Sequence, residues 1–153
     1  MPPNWDVYTW LSERDPAVLS AFIARYVNVA APGDTRLEAF VRTYVAGTPD
    51  DGDLEALSDL GIDDSGQFTL YVRGLEHPWV MIAIAEGRAA VLGLSIDDPD
   101  QSEAGYAAAE ELMHRLRAEY ASPAGLAGIE LPPPWTRRAW LGAPAQLRVG
   151  APD

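Results

Sequence analysis

The sequence predicts an α+β fold, because helical patterns are followed by strand patterns and then by another long helical pattern. Residues 16–27 and 36–46 carry apolar side chains at helical spacing, and residues 67–97 contain three short strand patterns. Residues 101–121 again show one apolar helical stripe. We therefore expect N-terminal helices, a three-stranded antiparallel meander, and a long C-terminal helix packed on the sheet.

Capping residues mark the helices of the first third. Asp15 stands at an N-cap position, and Pro16 follows it at the first helical position. Asp34 precedes the second helical pattern, and Gly47 ends it as glycine often does at helix C-termini. These signals predict two amphipathic helices.

The length of 153 residues fits one domain, spanning residues 1–153. The helical part is expected to include a short helix near residues 4–13 and another that begins at Asp53. The predicted segments are a helical part, a β-meander, a long helix and an extended tail, over residues 1–61, 67–97, 100–121 and 129–153.

The strand patterns indicate which strand is central. Residues 68–73 alternate between apolar and polar, as in a half-buried strand, whereas residues 78–86 are apolar on both faces, as in a central strand. The second pattern places Trp79 in the core, and a short turn at Gly87 predicts a hairpin with the third strand. A further strand is expected over residues 129–131, before a tail rich in proline and tryptophan.

The net charge of −12 is unevenly distributed along the chain. All eleven basic residues are arginine, and thirteen of the 23 acids lie in two arginine-free segments, residues 43–72 and 89–114. The sequence thus predicts two acidic patches, which disfavour nucleic-acid binding because phosphate contacts need clustered positive charge.

Composition also predicts where the protein acts. The chain has no cysteine, no signal-peptide pattern at its start, and no apolar run of the ~18 residues that a membrane span needs. We expect a cytoplasmic protein without disulfides and without a membrane partner.

Four acids follow the third strand pattern closely. A calcium loop that began at Asp98 would need glycine where Glu103 stands, so that motif fails, although a looser hard-cation site remains an alternative. Asp100 as N-cap and Glu103 three residues later predict a capping box for the long helix. Asp97 and Asp98 are left without a structural role and are predicted to contact a partner.

No motif identifies a reaction. His77 has no orienting partner in the sequence, and His114 forms an ordinary helix pair with Glu110, four residues earlier. There is no nucleophile elbow or phosphate-binding loop. We therefore assign no catalytic residue, metal or cofactor. The segment "PPPWTRRAW" places Trp135 and Trp140 around two arginines, so the tryptophans either clasp the core or form an exposed binding hot spot.

Three classes of function are compatible with these observations. The first is an acidic binding protein that attracts a basic partner electrostatically. The second is a small metal-dependent or His/Asp enzyme, and the third is a scaffold subunit of an oligomer.

The layout of residues 34–140, together with the strong acidity, resembles immunity proteins of bacterial polymorphic-toxin systems. The resemblance implies an intracellular inhibitor that binds a cognate toxin domain, often a nuclease or another enzyme with a basic cleft. The lysine-free, alanine- and arginine-rich composition is typical of a high-GC bacterial genome. The predicted partner-binding residues are Asp50, Asp51, Asp53, Asp63, Asp64, Asp97, Asp98, Trp135 and Trp140.

Overall fold

The computed structural model describes residues 4–58, 66–98 and 100–153 and confirms the α+β class. Its strands are β1 Asn4–Leu11, β2 Phe68–Arg73, β3 Trp79–Ile84, β4 Ala90–Asp97, β5 Ala124–Ile129 and β6 Leu147–Gly150. Within the described ranges these six strands form one sheet in the order β2-β3-β4-β1-β5-β6, and every neighbouring pair is antiparallel.

The helices are α1 Pro16–Tyr26, α2 Arg36–Phe40, α3 Asp53–Ser58, α4 Glu103–Glu119 and α5 Arg137–Gly142, and α2 continues into a π-helical turn over Val41–Val45. The prediction for the start of α1 is confirmed, since the Asp15 carboxylate accepts a 2.9 Å hydrogen bond from the amide of Ala17. Across the described parts of the chain, no helix is both long and apolar enough to cross a membrane.

The two faces of the sheet are covered differently. Helices α1 to α4 pack on the face that we call the helical face, where Leu19, Phe22 and Leu116 meet the apolar side chains of the strands. The opposite face, which we call the tail face, is covered by the segment that follows β5, chiefly through Leu131 and Trp140. Because this segment is short, it covers only part of the tail face.

The first strand corrects the prediction of a short helix near residues 4–13. Strand β1 lies between β4 and β5, and its side chains alternate between the two cores: Val7 points to the helical face, whereas Tyr8 and Trp10 point to the tail face. Strand β1 reads NWDVYTWL, with apolar side chains on both faces, so the alternation that would reveal a strand is broken at Val7–Tyr8 and at Trp10–Leu11.

Two other expectations about the fold are also wrong. Strands β2, β3 and β4 are consecutive neighbours, but they make up only half of a six-stranded sheet. Helix α4 lies mid-chain, because β5, α5 and β6 follow it. The expected extended tail of residues 129–153 contains α5 and β6, and β5 ends at Ile129, where the predicted extra strand would begin. The apolar strand β5 is "AGLAGI", whose glycines and alanines resemble a loop in composition.

Candidate functional site

A cleft of about 420 Å³ opens on the part of the tail face that the C-terminal segment leaves uncovered. Its described lining residues are Asn4, Asp6, Tyr71, Trp79, Met81, Glu130, Leu131 and Pro132. They come from β1, β2, β3 and the turn after β5. A cavity of this size falls in the range of small-ligand pockets, and its lining includes Asp6, an acid with a strongly raised pKa, so the cleft is the candidate functional site.

The register of the sheet explains why these side chains meet. Tyr8, Gly93, Met81 and Tyr71 are consecutive partners across β1, β4, β3 and β2, so the four residues form one row on the tail face. Asp6 lies in the next row, where its partners Ser95 and Gly128 are both small. The small neighbours leave space beside the Asp6 carboxyl.

The turn after β5 builds one wall of the cleft and is pinned at two points. The Glu130 amide donates a 2.8 Å hydrogen bond to the carbonyl of Asn4, and the Tyr8 hydroxyl donates to the carbonyl of Leu131. Glu130 has a φ of 51°, a left-handed conformation that non-glycine residues seldom adopt. Such strain persists only where surrounding contacts enforce it and is frequent at functional sites.

The electrostatics of the cleft are dominated by Asp6 and Glu130. Burial raises the pKa of Asp6 to about 7, a hydrogen bond from the backbone of Leu131 opposes the rise, and the negative charge of Glu130 adds to it. Glu130 itself is exposed at the rim. No arginine is found among the described residues that line the cleft.

Two aromatic rings, from β2 and β3, line the side of the cleft opposite these carboxyls. Tyr71 is 46% exposed and Trp79 is 38% exposed, so the prediction of a core position for Trp79 is wrong. Trp79 begins β3, beyond the part of the tail face that Leu131 and Trp140 cover. Sequence reasoning missed Asp6, Tyr71 and Glu130 altogether, because each lies on a different element and no local pattern joins them.

The predicted acids around α3 are partly neutralised within the molecule. Asp53 is buried and accepts two hydrogen bonds from the Arg42 guanidinium, at 2.8 and 2.9 Å, which lower the pKa of Asp53 to about 2. Asp50 is exposed but also lies 3.4 Å from Arg42, and Asp51 is exposed. Asp53 is therefore a structural residue. The predicted Asp63 and Asp64 lie outside the described residues.

The prediction that Asp98 faces a partner is also corrected, because its side chain is only 6% exposed. Its carboxylate accepts hydrogen bonds from the indole of Trp5 at 3.1 Å and from the amide and hydroxyl of Ser102 at 3.1 and 3.0 Å. Ser102 is the N-cap of α4, and its hydroxyl accepts from the amide of Gly105. This arrangement replaces the predicted capping box and joins the start of α4 to β1.

Asp98→Asn is expected to lower the Tm by several degrees. The asparagine NH₂ group is a donor, and it would face the Trp5 indole or the Ser102 amide, which donate to the carboxylate in the wild type, so one hydrogen bond would be lost. The hydrogen bonds from Ser102 and Trp5 lower the pKa of Asp98, so its stabilising effect is present above about pH 4 and is lost as the pH falls through that lowered pKa. Thermal unfolding of the neighbouring variant Asp97→Asn is the control, since Asp97 is exposed. Equal Tm values for the two variants would contradict this role.

The two tryptophans of the tail take different positions. Trp140 is fully buried and meets the ring of Trp10 edge-on at 5.5 Å, so its side chain is not available to a partner. Trp135 is half-buried and donates a 2.7 Å hydrogen bond from its indole to Thr69. It lines a groove that shares Leu131 and Pro132 with the cleft.

A second, more polar pocket lies between α4 and the loop before β3. Glu76, His77, Asp97, Glu111 and Arg115 contribute to its lining. The Nδ1 atom of His77 lies 3.1 Å from the carbonyl of Ser95, and burial lowers the pKa of His77. The described residues contain no group of three or more histidines and acids placed to hold a metal ion.

Comparisons with known proteins do not identify this chain. A scan of protein-family models, a search of curated proteins and a search of solved structures each find no match. The functional assignment therefore depends on the chemistry of the cleft and on the charge of the chain.

Proposed function

We propose that this chain is a non-catalytic acidic protein that binds a basic protein partner and acts as an immunity protein, inhibiting a cognate toxin enzyme. The observation that carries the proposal is the cleft, where two carboxyls, Asp6 and Glu130, line the same cavity as the exposed rings of Tyr71 and Trp79. Carboxylates and aromatic faces both attract positive charge. The net charge of −12 adds long-range attraction that would speed the encounter with a basic partner.

The proposed docking surface is the tail face around the cleft. The groove lined by Trp135 adjoins the cleft through Leu131, and Asp97 lies opposite Asn4 at the end of β4. Of the predicted partner-binding residues, Trp135 therefore lies beside this surface, whereas Asp97, at the end of β4, lines the pocket next to α4. Asp50 and Asp51 precede α3, which packs on the helical face, and we assign them a part in long-range attraction only.

The cleft also has a property that favours a second candidate function. A carboxyl with a pKa of about 7, as for Asp6, is suited to donate or accept a proton near neutral pH. An enzyme of this kind would lose turnover completely in Asp6→Asn, whereas a stoichiometric inhibitor shows no turnover to lose.

The proposal is tested with the polypeptide encoded immediately upstream of this chain, expressed in a bacterial host with and without it. We expect that polypeptide to arrest growth alone, and growth to recover when this chain is co-expressed. Purified proteins should form a complex whose association rate falls steeply with ionic strength.

Matched variants locate the docking surface in that assay. Tyr71→Ala should weaken the complex by about tenfold or more, as expected for an aromatic hot spot. Tyr106→Ala, which removes a similarly exposed tyrosine from α4 (44% exposed, against 46% for Tyr71), should change the affinity less than about twofold. Absence of both complex formation and growth recovery would overturn the proposed function.

A further inference from the structure

We infer that the cleft accepts the guanidinium group of one arginine side chain presented by the partner, packed against the Tyr71 and Trp79 rings and contacted by the Asp6 and Glu130 carboxyls. This inference rests on the proposed function and specifies the group that the docking surface recognises. It is carried by the shape, the charge and the lining of the cleft.

The sign of the charge in the cleft selects a cation. Asp6 and Glu130 both contribute acidic groups, and no basic side chain from the described residues lines the cavity. Arg73 is opposite Trp79 in the register, but its side chain packs against Gly33. The cleft therefore repels phosphates and carboxylates. Its negative charge can be neutralised by a cation that a partner supplies.

The aromatic walls favour an organic cation over a metal ion. Calcium and magnesium need six or more oxygen ligands in a compact shell. The described lining offers oxygens from only four side chains, Asn4, Asp6, Tyr71 and Glu130, beside the apolar Met81, Leu131 and Pro132. Exposed tyrosine and tryptophan rings instead provide flat faces for a cation with an apolar stem.

A guanidinium suits this site better than an ammonium. It is planar, so it stacks on an aromatic ring, and it donates hydrogen bonds to a carboxylate in a bidentate manner. A lysine ammonium is a compact and strongly hydrated charge, which loses more on entering an apolar cleft. The cavity of about 420 Å³ accommodates the whole side chain with its three methylene groups.

Binding of the cation is linked to a proton on Asp6. The charged or titratable groups that face Asp6 are Glu130 from the turn after β5, Tyr8 from the same strand and Tyr71 from β2. The pKa values of Tyr8 and Tyr71 are raised, so both tyrosines stay neutral between pH 6 and pH 8, and a bound guanidinium favours the ionised form of Asp6. With a pKa of about 7, the ionised fraction of Asp6 rises about tenfold from pH 6 to pH 8. The affinity should rise by about the same factor.

The test uses the full chain and two neutral-capped probes, Nα-acetyl-arginine methylamide and its uncharged isostere Nα-acetyl-citrulline methylamide. Binding is followed by the tryptophan fluorescence of the chain, compared with that of Trp79→Phe, and by nuclear magnetic resonance. We expect the arginine probe to saturate with a Kd on the order of 1 mM at pH 8, about tenfold tighter than at pH 6. The citrulline probe should bind at least about tenfold more weakly, because it lacks the charge.

Variants assign the binding to the cleft. Asp6→Asn and Glu130→Gln should each weaken the arginine probe by about fivefold or more, and Asp6→Asn should remove the pH dependence. Glu110→Gln is the control for Glu130→Gln, because Glu110 is an exposed acid on α4 outside the cleft. Equal binding of the two probes, no saturable signal, or equal effects of Glu130→Gln and Glu110→Gln would overturn the inference.

Failure here is distinguishable from failure of the proposed function. If the partner binds and Tyr71→Ala weakens the complex, but the arginine probe does not bind, the arginine site is wrong and the docking surface stands. If the arginine probe binds but no partner complex forms, the proposed function is wrong. The inference that a protein partner presents this arginine is then wrong as well.

Discussion

Gly93→Ala is expected to lower the free energy of unfolding by about 2–4 kcal/mol. A Cβ at position 93 would overlap the ring of Tyr8, with the ring atom Cε1 only 2.5 Å away, and would lie 3.2 Å from the terminal methyl of Met81. The Tyr8 ring cannot simply swing aside, because it is 1% exposed and its hydroxyl is bound to the carbonyl of Leu131. Either the ring moves and loses this hydrogen bond, or β1 and β4 separate.

The chain offers a matched control for this substitution. Gly142 lies near the end of α5, and a Cβ there would meet nothing within 4 Å. Gly142→Ala should leave the stability unchanged or raise it by up to about 1 kcal/mol, since alanine favours helices. Urea unfolding of the two variants measures the difference, and similar midpoints would show that the Tyr8 ring does not constrain position 93.

The Gly93 substitution also connects the sheet to the site. Tyr8 holds Leu131, and Leu131 belongs to the wall of the cleft. Displacing the ring should therefore loosen that wall and weaken ligand binding in addition to lowering stability. A glycine in a buried strand has a role here that no strand propensity would assign to it.

The elements with a clear local pattern were predictable from the sequence. Helix α1 has both its cap and its apolar stripe within one segment, and β2 alternates between apolar and polar side chains in the sequence, with Tyr71 and Arg73 exposed. Helix α4 was likewise evident from its stripe, although its start was misplaced because Ser102, and not Asp100, caps it. Local periodicity suffices where an element is half-buried.

What could not be predicted depends on contacts between distant residues. Trp5 and Asp98 are 93 positions apart and share a hydrogen bond, so nothing near Asp98 indicated that this acid would be buried. Strand β1 pairs with β4 and β5, both far along the chain, and the pairing decides that β1 is extended. The cleft likewise depends on long-range pairing, since its acids Asp6 and Glu130 come together only when β1 and β5 pair in register.

Contacts between distant residues also decide which acids of the two predicted acidic patches are neutralised within the molecule. The sequence indicated two runs of acids without arginine. Arg42 directly precedes the first run, however, and forms ion pairs with Asp50 and Asp53. In the second run, Asp98 is satisfied by uncharged donors and is buried. A deficit of arginine in a segment therefore does not show which of its acids are free to attract a partner.

Asp6→Asn is expected to stabilise the protein at pH 8 by about 1–3 kcal/mol, in contrast to Asp98→Asn. Burial, more than the nearby Glu130, raises the pKa of Asp6 to about 7, so its ionised form is costly in the folded state. An uncharged asparagine keeps an oxygen to accept the backbone hydrogen bond from Leu131 without this cost. A ligand-binding acid that destabilises the fold is typical of a site selected for function.

The pH dependence of this effect has a definite sign. The unfolded chain releases the Asp6 proton near pH 3.8, whereas the folded protein keeps it until about pH 7. Between these values the folded state binds more protons, so the stability contributed by this group is full below pH 3.8 and falls as the pH rises toward 7. The advantage of Asp6→Asn over the wild type should therefore grow from pH 4 to pH 7 and level off by pH 8.

Urea unfolding of both proteins at pH 4, 6 and 8 measures that difference, in which the titrations of all other groups largely cancel. The exposed Asp51 provides a control, because Asp51→Asn should shift the midpoint little and equally at the three pH values. If the difference between Asp6→Asn and the wild type were constant with pH, Asp6 would have an ordinary pKa in the folded protein. The stabilised variant should at the same time bind the arginine probe poorly. Asparagine lacks the negative charge of Asp6, which destabilises the fold but attracts the guanidinium.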